Sequence, residues 1–262
     1  MLVHVQCSLR RRPRRARGGA AGAAPAIHAG LALLLLLLAS GCTPQLEYLR
    51  VDADLTHGRL VQGRVAVMPV AVAGGVIPAE AARPMQRQIV TAVQQRRGTI
   101  PAVGLDAVAR ALAADRRFAE LPVQYVTSAS LPPLTVKELT AALGVRYLAF
   151  AAVTGYRHST YDGARLESGG KAGPVEYTLR HHDGVLSASL TLFDGQSGAA
   201  CWEGRHTVSR INTNEYDYAA NIEAWADLAP EYEQYSPPPP APAVLSATLF
   251  AAMVRNWPEP ED

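Results

Sequence analysis

Four histidines and an aspartate are the strongest candidates for metal ligands in this sequence. They are His158, His181, His182, His206 and Asp183. Structural zinc sites usually draw their ligands from pairs at short fixed spacing, such as two cysteines separated by two residues. These histidines lack such spacing, and the adjacent His181 and His182 would point to opposite faces of a strand. We therefore interpret them as polar residues at one end of a sheet, and predict no metal site.

Two further patterns are reminiscent of catalytic sites. Ser168-Gly169-Gly170-Lys171 matches the S-x-x-K pattern of penicillin-binding enzymes, which needs the serine at a helix start and the lysine one turn later. Two central glycines disfavour that helix, and no S-D-N or K-T-G pattern follows. Cys201 would need a lowered pKa and a neighbouring base to act as a nucleophile, yet it lies beside Trp202 in an apolar strand pattern. The sequence thus predicts no enzyme and no cofactor.

The N-terminal region has the layout of an export signal. Six arginines and no acidic residue precede an apolar run at residues 31–39, and small residues follow it. The run is too short for a membrane-spanning helix, which needs about 20 apolar residues. The sequence therefore predicts a signal peptide over residues 1–41, with an uncleaved anchor as an alternative.

Ala39-Ser40-Gly41-Cys42 resembles the lipobox of bacterial lipoproteins, although the family usually has leucine at the position of Ala39. The resemblance implies cleavage before Cys42 and lipid on its sulfur and new amino group; an ordinary signal peptide is the alternative. The mature chain would have 221 residues, with 19 basic and 23 acidic side chains and a net charge of −4. Nothing in this charge distribution indicates nucleic-acid binding.

Apolar periodicity predicts alternating strands and helices after a tether at residues 42–63. Residues 64–72 and 145–153 are mostly apolar on both faces, as is typical of buried strands. A helix is predicted with Pro84 in its first turn and Gly98 after its end, and a second over residues 105–115. Prolines such as Pro122 are expected to interrupt the next stretch, before a short helix with a capping box at residues 135–138 that ends at Gly144.

A β-hairpin is predicted around the turn at residues 194–198. Apolar and polar residues alternate over residues 185–193, and Ala200, Trp202 and Val208 are expected to continue the inward face on the partner strand. Residues 162–173 are glycine-rich and predict a mobile connection. The fold class is α/β, with a mixed sheet flanked by helices: a core at residues 64–211, an irregular Pro-rich excursion at 212–242 and a C-terminal helix and tail at 243–262.

The motifs of this core resemble a superfamily of envelope lipoproteins. A helix ending in glycine leads into Gly144-Val145-Arg146-Tyr147-Leu148, and a later strand reads LTLFDGQSGAACW over residues 190–202. Both are similar to motifs of the curli-secretion (CsgG-type) lipoproteins, the penicillin-binding-protein activators (LpoB-type) and the N-terminal domain of the Tol–Pal translocation protein. The resemblance implies a small mixed sheet flanked by helices, and non-enzymatic roles.

An acidic, aromatic-rich segment at residues 212–235 is the candidate partner-binding surface. Its aromatic residues are Tyr216, Tyr218, Trp225, Tyr232 and Tyr235. Tyrosine and tryptophan are enriched in protein interfaces, and long irregular segments are often functional. The alternative is that these aromatics pin the segment to its own domain.

Two functions follow from the resemblance. The first is a non-catalytic, lipid-anchored scaffold or activator that binds another envelope protein, such as a cell-wall synthase or a secretion component. Lipoprotein sorting rules place such a protein at the outer membrane, facing the periplasm. The second is a subunit of a CsgG-like outer-membrane secretion channel. Charged residues interrupt the alternation that membrane-crossing strands need, which favours the first function. Assembly into a homo-oligomer stays open.

The lipobox predicts that Cys42 carries the lipid. Cells grown with a fatty-acid probe should label the wild-type protein, whereas Cys42→Ser should carry no label because the acceptor sulfur is missing. Label that survives the substitution would refute this assignment.

Overall fold

The computed structural model describes residues 46–96, 99–128, 130–168, 174–217 and 239–260. The strands are β1 (Tyr48–Val51), β2 (Val65–Val67), β3 (Ala71–Val72), β4 (Tyr147–Ser168), β5 (Pro174–Asp194) and β6 (Ala200–Asp217). The helices are α1 (His57–Gly63), α2 (Ala79–Gln95), α3 (Leu105–Ala114), α4 (Arg116–Ser128), α5 (Pro133–Leu143) and α6 (Pro242–Arg255). Within these residues, no helix is both long and apolar enough to cross a membrane.

The strands form one mixed sheet with the order β1-β6-β5-β4-β2, and β3 also pairs with β4. β2 and β3 run parallel to β4, whereas β4, β5, β6 and β1 pair antiparallel. Helices connect the parallel strands, because a parallel connection must cross from one end of the sheet to the other. The predicted α/β class with a mixed sheet flanked by helices is confirmed.

Helices cover both faces of the sheet and produce two separate cores. One core contains buried side chains of α2 and α6, and the other contains those of α3, α4 and α5. Successive residues of β4 enter them in turn: Tyr147 and Ala149 belong to the first core, Leu148 and Phe150 to the second. This double coverage explains the unbroken apolar run in the sequence.

The first long helix begins earlier than the sequence predicted. α2 starts at Ala79 after Pro78, so Pro84 lies inside the helix and not in its first turn. The predicted apolar stripe is present, with Met85, Ile89 and Val93 fully buried. Burial of this stripe outweighs the single backbone hydrogen bond that Pro84 lacks. Gly98, the predicted end signal, lies outside the described residues.

The helices on the other face correct two predictions. Pro122 does not interrupt the chain but lies inside α4, whose Leu121 and Tyr125 are buried. α5 begins at Pro133 with Pro132 as its N-cap, so the predicted capping box at residues 135–138 is internal to the helix. Gly144 ends α5 as predicted, in the left-handed conformation with φ of 62°.

The β5–β6 turn forms as predicted, but a bulge changes the parity beyond it. Asp194 accepts a hydrogen bond from the Gln196 backbone N–H at 2.9 Å. Phe193 pairs with Ala200 and Leu192 pairs with Trp202, so Cys201 is an extra residue on β6. Ala200 therefore packs against the second core, while Trp202 lies in the first and Val208 packs against it. The predicted shared face is wrong for Ala200 and confirmed for the other two.

The described part of the predicted tether is folded onto the domain. β1 pairs with β6 from Tyr48 opposite Arg205 to Val51 opposite Trp202. Leu60 of α1 is fully buried in the first core. The backbone pairing of β1 and the burial of Leu60 make residues 46–63 part of the domain, because both would be lost if the segment were free.

Trp202→Ala should strongly destabilise the domain. The Trp202 ring is fully buried, contacts Trp257 edge to face, and its Nε1–H donates to the Asn256 carbonyl oxygen at 3.3 Å. Truncation of a buried aromatic costs about 3–5 kcal/mol, which corresponds to a fall in Tm of roughly 10 °C. Thermal denaturation followed by circular dichroism checks this, with the exposed Val123→Ala as the control. An unchanged Tm would contradict the assignment of Trp202 to the core.

Candidate functional site

β4, β5 and β6 continue past the helical layers as a three-stranded arm. We define the arm as residues 157–168, 174–185 and 209–217, where Arg157 pairs with Val185 and Val185 pairs with Ser209. Residues 147–153 of β4 are all buried, whereas residues 157–162 of the same strand are all exposed. The arm therefore leaves the core within a few residues.

Two predictions from the sequence for this part of the chain require correction. Residues 162–173 were expected to form a mobile connection, but β4 continues to Ser168 and pairs there with Pro174 of β5. The irregular excursion was expected from Asn212, but β6 remains paired up to Asp217, opposite Tyr177. At about 3.3 Å per residue, the arm residues of β4 extend it by roughly 36 Å.

Cross-strand pairs of polar side chains connect β4 of the arm to β5. Asp162 forms an ion pair with Arg180, with Oδ1 and Nε 3.0 Å apart. The rings of Tyr161 and His181 stack with centroids 4.8 Å apart. Such pairs are the sheet equivalent of neighbouring contacts along a helix. They stabilise the strand pairing without an apolar core.

His182 is buried on the opposite face of β5 from His181, as their adjacent positions predicted. Its Nδ1 lies 3.2 Å from the Thr160 hydroxyl, while its buried Nε2 has no hydrogen-bond partner among the residues that the structure describes. Within the described residues, no group of three or more His, Cys, Asp or Glu side chains is arranged to hold a metal ion.

The chain returns to the core across the base of the arm. Pro240 is buried there, and its carbonyl oxygen accepts a hydrogen bond from the Tyr156 hydroxyl at 3.3 Å. A Cβ on Gly184 would lie only 3.1 Å from that carbonyl oxygen. Glycine at position 184 therefore permits the close approach of Pro240 to the sheet.

The arm exposes two large apolar side chains on one face. Tyr161 and Ile211 are about half exposed, and the pairing of Tyr161 with His181 and of Ile211 with Asp183 places both on the same face. That face is available for contact with another molecule.

Only some of the predicted site residues lie among the residues that the structure describes. Tyr216 lies in β6 near the end of the arm. Cys42, Tyr218, Trp225, Tyr232 and Tyr235 lie outside the described residues, as do Gly169, Gly170 and Lys171 of the S-x-x-K pattern. Their roles stay predictions. The structure adds that the segment at residues 218–235 directly follows the arm along the chain.

A polar cleft of about 480 Å³ lies at the end of the sheet that carries the β5–β6 turn. Its charged groups largely neutralise each other: Arg146 and Asp194 form an ion pair at 2.9 Å, and Arg59 lies 4.0 Å from Asp54. Partial burial opposes ionisation of Asp194, but hydrogen bonds from Arg146 and the Gln196 backbone still lower its pKa. An ion pair of this kind ties the turn to the start of β4.

Cys201 borders this cleft but has the properties of a structural thiol. Burial raises its pKa to about 12, and nearby carboxylates act in the same direction. Its Sγ donates a long hydrogen bond of 3.5 Å to the Leu192 carbonyl oxygen. A nucleophilic cysteine needs a lowered pKa, so Cys201 does not meet that requirement.

The chain matches no known family model and no curated protein. Its fold is similar to solved structures at low identity. The PelC dodecamer from Paraburkholderia phytofirmans is 12% identical, with a TM-score of 0.33, over 81% of this chain and 97% of that chain. Lipoprotein GNA1162 from Neisseria meningitidis is 12% identical, with a TM-score of 0.37, over 66% and 95%. The LpoB C-terminal domain from Salmonella enterica is 14% identical, with a TM-score of 0.34, over 60% and 87%. At these values the similarities do not assign a function to this chain.

Proposed function

We propose that this chain is a non-catalytic, lipid-anchored envelope lipoprotein that binds another envelope protein as a scaffold or activator. We further propose outer-membrane anchoring through Cys42, with the domain facing the periplasm, and membership of the envelope-lipoprotein superfamily that its motifs resemble. The observation that carries the binding role is the three-stranded arm, which leaves the core and exposes Tyr161 and Ile211.

The segment that follows the arm supplies complementary binding chemistry. Residues 218–235 contain four aromatic and four acidic residues and no lysine or arginine. Aromatic side chains bury large areas at interfaces, while the carboxylates select a basic partner surface. We infer that the arm positions this segment away from the core. Association should therefore weaken as salt screens the charges.

The packing of the domain supports partner binding by a surface outside the two cores. Apolar side chains of α2 and α6 are used against one face of the sheet, and those of α3, α4 and α5 against the other. Three groups of the cleft are also poorly suited to catalysis, because the pKa of the Cys201 thiol is raised and Arg146 is paired with Asp194. The arm is thus the surface most free to bind a partner.

The alternative is a subunit of a CsgG-like secretion channel, which the long strands of the arm bring into consideration. A membrane-crossing strand needs a continuous apolar face towards lipid. Arg157 lies on one face of the arm, whereas Asp162 and its partner Arg180 lie on the other. Neither face is apolar, which favours the protein-binding function.

Replacement of residues 218–235 by a glycine–serine linker of equal length should abolish partner capture and leave the fold intact. The replacement keeps β6 complete to Asp217, because pairing with β5 extends to that residue. Crosslinked cells producing the wild-type or the replaced protein would be compared by pull-down and mass spectrometry, with circular dichroism as the folding control.

A matched variant separates charge from aromatic area. Conversion of Glu223, Asp227, Glu231 and Glu233 to their amides should retain part of the binding but remove most of its salt dependence. Loss of folding in the linker variant would show that the aromatics belong to the domain core. Ion conduction by the lipidated protein in planar bilayers would favour the channel function instead.

A further inference from the structure

Exposed apolar side chains are concentrated in β1. Eight large apolar residues are exposed among the described residues, and three of them lie in this four-residue strand. Tyr48, Leu49 and Val51 are 41%, 46% and 42% exposed. Since the other five are distributed over α4, α5, α6 and the arm, β1 is the densest apolar surface described.

β1 is also an edge of the sheet. It pairs with β6 on one side, and the described residues provide no strand on its other side. Proteins commonly protect such edges with charged residues or proline. In β1 the only charged residue is Arg50, so the edge needs another form of cover.

The chain itself limits what can lie next to β1. Only Thr43, Pro44 and Gln45 separate Cys42 from Leu46, the first described residue. A chain spans at most about 3.6 Å per residue, so the Cα atoms of Cys42 and Leu46 are within roughly 14 Å of each other. Leu46 is itself fixed to the domain, being buried in the first core two residues before β1.

We propose that β1 rests on the bilayer interface and forms a second membrane contact beside the lipid. This inference depends on the proposed lipidation of Cys42, which holds β1 near the acyl chains. Leu49 and Val51 enter the interface through their apolar side chains. Tyr48 lies on the other face of this edge strand, opposite Arg205. There its apolar ring and polar hydroxyl suit the polar rim of the same contact.

The contact is hydrophobic in origin and needs no anionic lipid. The two arginines at β1 are already paired: Arg50 lies 3.4 Å from Asp52, and Arg205 lies 3.0 Å from Glu203. The Arg205 guanidinium also lies over the Tyr48 ring, 5.2 Å from its centroid. Zwitterionic vesicles therefore suffice as the probe membrane.

Single cysteine variants of the full lipidated protein test the contact. Leu49→Cys and Val51→Cys would carry an environment-sensitive dye in phosphatidylcholine vesicles, with Val123→Cys and Leu134→Cys as matched exposed apolar controls on α4 and α5. The native Cys201 stays unlabelled, because burial raises its pKa to about 12. Quenching by nitroxide lipids would be compared with quenching by iodide in solution.

We expect β1 labels to be quenched by nitroxide lipid roughly threefold more strongly than the control labels, as for side chains within the interface. Labels on β1 that respond to iodide like the controls, in protein that sediments with the vesicles, overturn this inference alone. Labels protected from both quenchers overturn it in favour of a protein covering β1. Protein that carries no lipid and fails to sediment overturns the proposed anchoring together with the inference.

Discussion

Backbone hydrogen bonding among β4, β5 and β6 is the interaction on which this structure depends. The same three strands form the centre of the sandwich and then extend as the arm, from Tyr147 opposite Asp194 to Ser168 opposite Pro174. Each of the three strands belongs to both the core and the arm, and the pairing of β4 with β5 resumes after a register shift between Val153 and Gly155. Hydrophobic burial holds the core part of each strand, and cross-strand polar pairs support the arm part of β4 and β5.

The two cores explain why the arm can be so polar. Phe150, Phe193 and Tyr125 form a cluster of ring contacts on one face, and Tyr125 also reaches the Thr191 hydroxyl at 2.8 Å. Trp202 and Trp257 meet on the other face. These contacts lie in the core part of the sheet, outside the arm. Its exposed tyrosine and isoleucine are then explained by function more readily than by folding.

Periodicity in the sequence predicted the buried strands, the stripe on α2, the β5–β6 turn and the core position of Trp202. It failed where the deciding contact is distant in sequence. Pro122 is tolerated because Leu121 and Tyr125 on either side of it are buried against the sheet, which local propensity does not reveal. The face on which Ala200 lies depends on the bulge at Cys201.

The sequence did not predict the arm because its strands lack an apolar face. The alignment of Asp162 with Arg180 across a glycine-rich turn sequence could have indicated the strand pairing. Of the predicted binding residues that the structure describes, Tyr216 lies in an arm strand. The predicted segment thus follows the arm along the chain, but the sequence did not reveal the arm itself.

We propose that the arm, and not the helical faces, contacts the partner protein. Photocrosslinking in intact cells tests it most directly, with a photoreactive amino acid at Tyr161 or Ile211 on the arm and at Val123 or Leu134 on the helices. All four side chains are exposed, so solvent access alone does not distinguish them. We expect a discrete adduct with one envelope protein from the arm positions and none from the helical positions. The same adduct from Val123 or Leu134, with none from Tyr161 or Ile211, would contradict it.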